Sequence, residues 1–506
     1  MFTPSDDERQ RSRSPPQQRH ANTPEQHVHG DEGRAVSPAA TFNATSHPDW
    51  ASLLMHLVRL ERSRLGKQAR ALKIHSGFAG MSSHARVLAE LQIQYREIAA
   101  AEPKPAAKQF VRDNHLLAEH HFNDVQCMLD GGWCCVCMQR CVLEPERPDS
   151  YIGGFSCQPF SQMRSGRQSR TRVPPEQHPL FKNAVLQVKY LRKVQPRIAL
   201  LENTSGIAHE SSYGGTVMSG IDWLREQLQD LYHIEFVDVD LLPWLFMRRR
   251  RCWIFCIHVD VGSAEVAREA CRLTTVIQQR RALHPPAHIA EFMFAPESPE
   301  WLSQVRSGLA GSLAPVGGEV VDAAWYRQVT EQRERWHQSG FNGHDSHPLV
   351  HAALRGLSTR PRERAVLEVH LIQACWDMGG SPKNPEDIAL AKKVLVRDCS
   401  QNVRGIQGVA CNKRDLHGNT TSLACSSICT SARLYSYQWD RKILPEEILR
   451  ALGWQAPRYS VDCHSIATHD LQDLVGECQA LPNLGEAIMA LILSCGNRLP
   501  GLWAER

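Results

Sequence analysis

Short apolar runs that stop at glycine or at a carboxylate, each followed by an amphipathic segment, constrain the fold of this chain most. Ala71-Leu72-Lys73-Ile74-His75 reads as a strand that runs into Ser76-Gly77-Phe78-Ala79-Gly80, with a helix over 82–91. Residues 95–101 read as the next strand, ending at Glu102, and 104–115 as a helix. A third strand ends at Asn123-Asp124-Val125. Later, Pro148-Asp149-Ser150-Tyr151-Ile152 and Ile198-Ala199-Leu200-Leu201 read as strands, with helices over 180–193 and 221–231. Further strands fall at 234–241 and 252–257. Strands alternating with helices through short connections predict an α/β fold: a doubly wound, mostly parallel, Rossmann-like sheet covered on both faces. Ligands of such sheets sit at the carboxyl ends of the strands.

Four segments follow from composition. Residues 1–47 are rich in Pro, Ser, Gln, His and Arg, with few large apolar side chains, and read as a disordered tail. Residues 48–261 carry the alternation and form the predicted α/β domain. It opens on an apolar helix over 50–65. From 262 to 430 the alternation fades into helical segments (286–292, 323–336, 363–376, 385–395) between polar loops, which reads as a separate, smaller domain. Residues 431–506 hold a Pro-started helix over 442–454 stopped by Gly453, and an apolar helix over 485–493. The net charge of +4 permits a polyanionic partner without demanding one. Seventeen irregularly spaced cysteines and the lack of a secretory leader predict a reducing compartment. No apolar run reaches the roughly 18–20 residues of a membrane span, so no membrane partner is expected.

The chemistry-bearing blocks lie at the predicted strand ends. Gly153-Gly154-Phe155-Ser156-Cys157-Gln158-Pro159-Phe160-Ser161-Gln162 places one thiol after a strand, between a glycine pair and a Gln-Pro-Phe turn. A lone cysteine is commonly a buried thiol, but a strand-to-loop turn can expose and activate it as a nucleophile. Leu200-Leu201-Glu202-Asn203-Thr204 ends an apolar strand on a carboxylate, a residue type that also caps helices and turns. Phe246-Met247-Arg248-Arg249-Arg250-Arg251-Cys252-Trp253-Ile254 sets four arginines before a strand. Alone they would read as a solvated basic patch or a nuclear address.

Together these blocks resemble the cytosine carbon-5 DNA methyltransferase family over about 71–258, and more weakly over about 440–495. The resemblance implies a class I methyltransferase fold, S-adenosylmethionine as cofactor, and double-stranded DNA with a flipped cytosine as substrate. Cys157 would be the covalent nucleophile, and Glu202 the group that protonates or hydrogen-bonds ring nitrogen 3. Arg249 and Arg251 take the two arginine places of a Gln-x-Arg-x-Arg segment and would hold the base or its phosphates. Met247 stands where that segment has Gln. Ser76, Gly77, Phe78, Ala79 and Gly80 would form the cofactor turn, with His75 in place of a Phe and Ala79 in place of a Gly. Glu102 would take the ribose hydroxyls, and Asp124 with Val125 would meet the adenine, although either carboxylate also suits a helix cap. Leu474 to Gly485 resembles the late Gly-Asn loop that completes the cofactor pocket. Glu477 fills its Asn place, a carboxylate repulsive to the methionine carboxylate unless neutralised. The segment 262–430 would be the target-recognition domain.

Two other readings stand beside this one. The departures at His75, Ala79, Met247 and Glu477 suit a lapsed enzyme kept as a nucleic-acid-binding or scaffold protein, and the catalytic blocks equally suit RNA as substrate. Residence in the nucleus is expected for a eukaryotic host, in the cytoplasm for a bacterial one. Gly131 to Cys141 clusters Cys134, Cys135, Cys137 and Cys141, but it lacks a distal Cys or His pair at familiar spacing. No metal is therefore expected there.

Overall fold

The computed structural model describes residues 49–144, 146–161, 174–213, 215–295, 361–399, 432–454 and 465–504, with 298, 424, 425 and 428. The tail read at 1–47 and the helix read at 323–336 lie outside the described residues.

Strands β1 (Leu72–Gly77), β2 (Tyr95–Ala101), β3 (His120–Phe122), β4 (Gly132–Cys134), β5 (Gln139–Cys141), β6 (Ser150–Gly153) and β7 (Ile198–Thr204) join one sheet. The hairpin β8 (Glu210–Tyr213) and β9 (Thr216–Ser219) stands apart from it, and β10 (Tyr232–Val239) and β11 (Arg251–His258) complete it. The order is β10-β11-β7-β6-β1-β2-β3-β4-β5. The pairings of β7, β6, β1, β2 and β3 are parallel. Pairing is antiparallel around β11 and β4, so these two strands run against the other seven. The chain steps outward from β1 to β2 and β3, then returns across β1 to β6 and β7. That reversal opens a crevice at the carboxyl ends of β1 and β6.

The strand sequences dictate two cores. Side chains alternate across a strand, so Ile198 and Leu200 enter one cluster while Ala199 and Leu201 enter the other. Trp253, Phe255 and Ile257 likewise oppose Cys252, Ile254 and Cys256. Both faces are thus covered, which is why these strands are continuously apolar. The helices are α1 (Trp50–Leu57), α2 (Arg59–Arg62), α3 (Ser83–Glu90), α4 (Pro105–Asp113), α5 (Val125–Asp130), α6 (Lys182–Val194), α7 (Gly220–Leu228) and α8 (Ala264–Arg281). The chain continues with α9 (Pro361–Asp377), α10 (Pro385–Val394), α11 (Pro445–Ala451), α12 (Thr468–Glu477) and α13 (Leu481–Cys495). Helices α5, α6 and α7 supply side chains to one face; α1, α3, α8 and α13 supply the other.

Several expectations need correction. The 50–65 helix is interrupted at Val58, and the 286–292 segment is only the 3-10 turn Ile289–Phe292. Helix α8 was not expected, yet it packs on β10, β11 and α13. Its inner stripe of Val266, Ala267, Ala270, Leu273, Thr274 and Ile277 is small-residue rich and surrounded by charge, so its periodicity is weak. The span Thr468–Arg498 is long and apolar enough by composition to cross a membrane, although 83% of its most apolar window is buried inside the fold. Helix α13 is a core helix, packed on α1, α3 and α8.

One buried carboxyl couples this packing to pH. Glu486 of α13 is fully buried and accepts hydrogen bonds from Trp244 Nε1 at 2.7 Å and Gln278 Nε2 at 2.5 Å. Burial pushes its pKa from the ordinary 4.5 up to about 8, against the pull of those two donors. The folded state therefore holds a proton that the unfolded chain releases above the ordinary value. The stability from this group is present below pH 4.5 and is lost as pH rises through about 8. Glu486→Gln should flatten that decline. Urea midpoints at about pH 5 and about pH 9 should differ less in the variant, by on the order of a few kcal/mol in unfolding free energy.

Candidate active site

Cys157 sits just past β6. Its carbonyl accepts from Phe160 N at 3.0 Å and Ser161 N at 2.9 Å, closing a turn at Cys157. Phe155 and Phe160 are buried edge to face beneath it, at 5.8 Å between ring centroids. Asn203, beside Glu202 on β7, donates through Nδ2 to Phe155 O at 3.1 Å and ties the loop to the neighbouring strand. Asn183 Nδ2 donates to Ser156 Oγ at 2.6 Å. The loop is thus fastened at both residues that precede the sulfur.

Glu202 and Arg251 meet in an ion pair, Arg251 Nε to Glu202 Oε1 at 2.9 Å, with both side chains more than four-fifths buried. A β-carbon on Gly154 would stand 3.1 Å from Glu202 Oε2 and 3.2 Å from Gln479 Nε2, so glycine lets the carboxylate approach the loop. The thiol itself departs from expectation. Cys157 is half-buried rather than exposed. Burial pushes its pKa up, the Glu202 carboxylate adds to the rise, and Arg251 and Arg249 oppose it. A thiol facing a carboxylate across a partly dry site stays protonated in the free protein.

Arg249 does not stand ready for a phosphate. It is buried, with Nη1 donating to Ile428 O at 2.7 Å and Nη2 to Gly476 O at 3.1 Å and Cys478 O at 2.6 Å. Its backbone N donates to Asp240 Oδ1 at 2.9 Å. Burial and the Arg251 charge draw its pKa down to about 9. This side chain holds the end of α12 against the β10–β11 connection. Met247 is also fully buried, in the apolar core.

A cavity at the crevice is lined by Gly77, Phe78, Ala79, Gly80, Met81, Ser83, His84, Ile152, Gly153, Gly154, Glu202, Leu474, Glu477, Cys478 and Gln479. It joins the glycine turn after β1, the start of the thiol loop, the β7 carboxylate and the α12–α13 connection. Sequence reasoning did not single out Met81, Ser83 or His84, since nothing in their local pattern marks them, and it included Gln479 only as part of the late block. Among the anticipated residues, Ser76 points elsewhere: its Oγ donates to the buried Glu97 at 2.5 Å, which His84 Nε2 also meets at 2.8 Å. His75 is buried against the Tyr190 hydroxyl at 2.5 Å, and burial pulls its pKa down to about 4. It belongs to the core.

The turn itself is strained and tightly packed. Phe78 and Gly80 both have φ of +54°, in the left-handed region, whereas Ala79 does not, so alanine there costs the backbone nothing. A β-carbon on Gly77 would stand 1.9 Å from the Tyr151 hydroxyl oxygen, and one on Gly80 would meet open space. Glu102 is buried and held by Gly80 N at 2.8 Å and Lys104 N at 2.9 Å; burial raises its pKa against those two donors. Asp124 is the N-cap of α5, accepting from Cys127 N at 2.7 Å, so its capping role is real. Val125 is buried, its Cγ2 close to where a Gly77 β-carbon would be. Cys157, Ser76, Glu102, Asp124 and Val125 are outside the cavity lining, while Gly77, Phe78, Ala79, Gly80, Glu202 and Glu477 are in it. Glu477 ends helix α12 instead of lying in a loop. It accepts a 2.5 Å ion pair from Lys104 Nζ, with both side chains about two-fifths exposed.

Strand order and site geometry define a class I methyltransferase arrangement, with the site in the crevice between β1 and β6. Residues 72–242 match the family described as C-5 cytosine-specific DNA methylase, and this part of the chain is a domain of that family. Comparison with the curated proteins gives no match. Among solved structures, the chain is similar to the Dnmt2 methyltransferase of S. pombe at 11% identity and a TM-score of 0.41. The likeness covers 83% of this chain and 98% of that one. It is also similar to the methyltransferase EhMeth of Entamoeba histolytica at 7% identity and a TM-score of 0.40, covering 84% of this chain and 98% of that one.

Proposed function

We propose that this chain transfers a methyl group from S-adenosylmethionine to carbon 5 of cytosine in double-stranded DNA. The carrying observation is the single cavity that brings the glycine turn at Gly77–Gly80 against Gly154 and Glu202. The residues suit the cofactor. The turn leaves backbone room at Gly80, Glu102 is preset at the end of β2, and the α5 N-cap follows β3. Phe78 to Gly80 would meet its methionine part, Glu102 the ribose hydroxyls, and Asp124 with Val125 the adenine. The bound cofactor supplies an electrophilic methyl group.

The chain's own groups do the rest. Cys157 releases its proton to solvent water and, as the thiolate, bonds through Sγ to carbon 6 of a cytosine flipped out of the duplex. Glu202, oriented by Arg251, supports ring nitrogen 3, so that carbon 5 gains electron density and takes the methyl. The carbon 5 proton then leaves to solvent water, and its bonding pair re-forms the carbon 5–carbon 6 double bond as the sulfur–carbon bond breaks and expels Cys157 as thiolate.

The four departures from the family pattern weigh against a lapsed enzyme. His75 and Met247 lie in the core, Ala79 has an ordinary backbone conformation, and Glu477 is neutralised by Lys104. RNA is the second reading, since nothing in the cavity distinguishes deoxyribose from ribose. The test is labelled methyl transfer to duplex DNA and, in parallel, to an RNA pool. Label on DNA supports the proposal, label confined to RNA moves the substrate, and label on neither overturns it. Nuclear residence belongs to the same proposal.

The Lys104–Glu477 pair gives a second prediction. Glu477→Asn leaves the Lys104 ammonium free to face the methionine carboxylate and should tighten S-adenosylmethionine binding several-fold by calorimetry; Lys104→Met should weaken it. Unchanged affinity in both variants would mean that the carboxylate lies against another wall.

A further inference from the structure

At the edge of the sheet remote from β10, the β4–β5 hairpin folds back on β3. Its register pairs Gly132 with Cys141 and Cys134 with Gln139, while Phe122 of β3 pairs with Cys134. This pairing gathers three thiols and one imidazole: His120 from the start of β3, Cys134 from β4, Cys137 from the turn and Cys141 from β5. One ligand atom from each lies within 4.8 Å of all the others. His120 Nδ1 is 3.5 Å from Cys137 Sγ and 3.9 Å from Cys134 Sγ. A tetrahedron with metal–sulfur bonds of about 2.3 Å and metal–nitrogen bonds of about 2.0–2.1 Å has edges of about 3.6–3.8 Å. The imidazole is therefore already at about ligand spacing from two of the thiols, and the remaining pairs lie within 4.8 Å.

We propose that His120, Cys134, Cys137 and Cys141 bind one structural zinc ion. His120 supplies the distal ligand that the cysteine run lacks in sequence: it lies upstream, and only the pairing of β3 with β4 brings it in. Three sulfurs and one imidazole nitrogen form a closed, soft donor set that suits tetrahedral zinc, with no position left for substrate. Each thiol releases its proton to solvent as it binds, and His120 binds as neutral imidazole. The backbone is set for the resulting charge, since His121 N and Cys137 N each lie 3.4 Å from Cys134 Sγ and donate to it. The neighbouring Cys135 is absent from the set, and Trp133 and Arg140 pair across the hairpin without entering it. The site lies apart from the catalytic cavity and makes no contribution to its lining.

The experiment uses the full-length chain purified from zinc-supplemented cells, washed and assayed by elemental mass spectrometry. About one zinc per chain is expected, falling at least about tenfold in His120→Ala and Cys137→Ser. A folding defect in the variants is bypassed by alkylating native wild-type protein with and without a chelator and mapping the adducts. Chelation should speed labelling of Cys134, Cys137 and Cys141 and leave Cys135, an internal control, unchanged. The proposal is overturned by zinc below about a tenth of an equivalent, by iron in its place, by a disulfide within the set, or by labelling of the three cysteines that ignores the chelator.

Discussion

Cys157→Ser is expected to lower methyl transfer to duplex DNA by at least about a thousandfold, because a hydroxyl is a far weaker nucleophile than a thiolate toward carbon 6. The substitution removes no packing: the sulfur is half-buried, and the turn at Cys157 is held by its backbone carbonyl. Affinity for DNA and the thermal midpoint should stay near wild type, so the loss will be confined to turnover. Near wild-type methylation by the variant would take the thiol out of the mechanism. Because burial and Glu202 hold the thiol above its ordinary pKa, the reactive thiolate gains population as pH rises. For the wild-type enzyme kcat/KM should climb through neutrality into the alkaline range. A plateau reached below neutrality would contradict the protonated resting thiol.

Arg249→Leu should be strongly destabilising. Three carbonyls, of Ile428, Gly476 and Cys478, would lose their donor inside the fold. An orphaned buried carbonyl costs about 1–3 kcal/mol, so a loss of at least about 3 kcal/mol is expected. Urea denaturation measures it. A variant with unchanged stability but weakened DNA binding would restore the phosphate-holding role that the resemblance implied and that the hydrogen bonds argue against.

The core fold was legible because its strands announce themselves. Ile198 to Leu201 and Cys252 to Ile257 are apolar on both faces, and Gly77 and Glu102 mark strand ends. Helix α8 was not, since alanine and threonine make its inner stripe and carry little contrast with its polar face. For the site, local strings revealed which residues come near one another but not which way they point. Ser76 lies in the glycine turn yet turns to Glu97, and Arg249 follows the same basic run as Arg251 yet is spent on backbone carbonyls. Direction is decided by partners remote in sequence, which a motif does not contain. The pairing of Lys104 with Glu477, and of His120 with the cysteine hairpin, likewise depends on the folded register.

Lys104 pairs with Glu477 of the cavity lining although 373 positions separate them in the chain. The wall from β1, its turn and α3 can form early from local contacts, but the opposing wall awaits α12. Closing so long a loop is slow, and its entropy must be met before any contact rewards it. During synthesis the early strands therefore have no counterpart for this surface until residues 468–477 have left the ribosome, and a small molecule that spans both walls would act as a late fastener of the assembled chain.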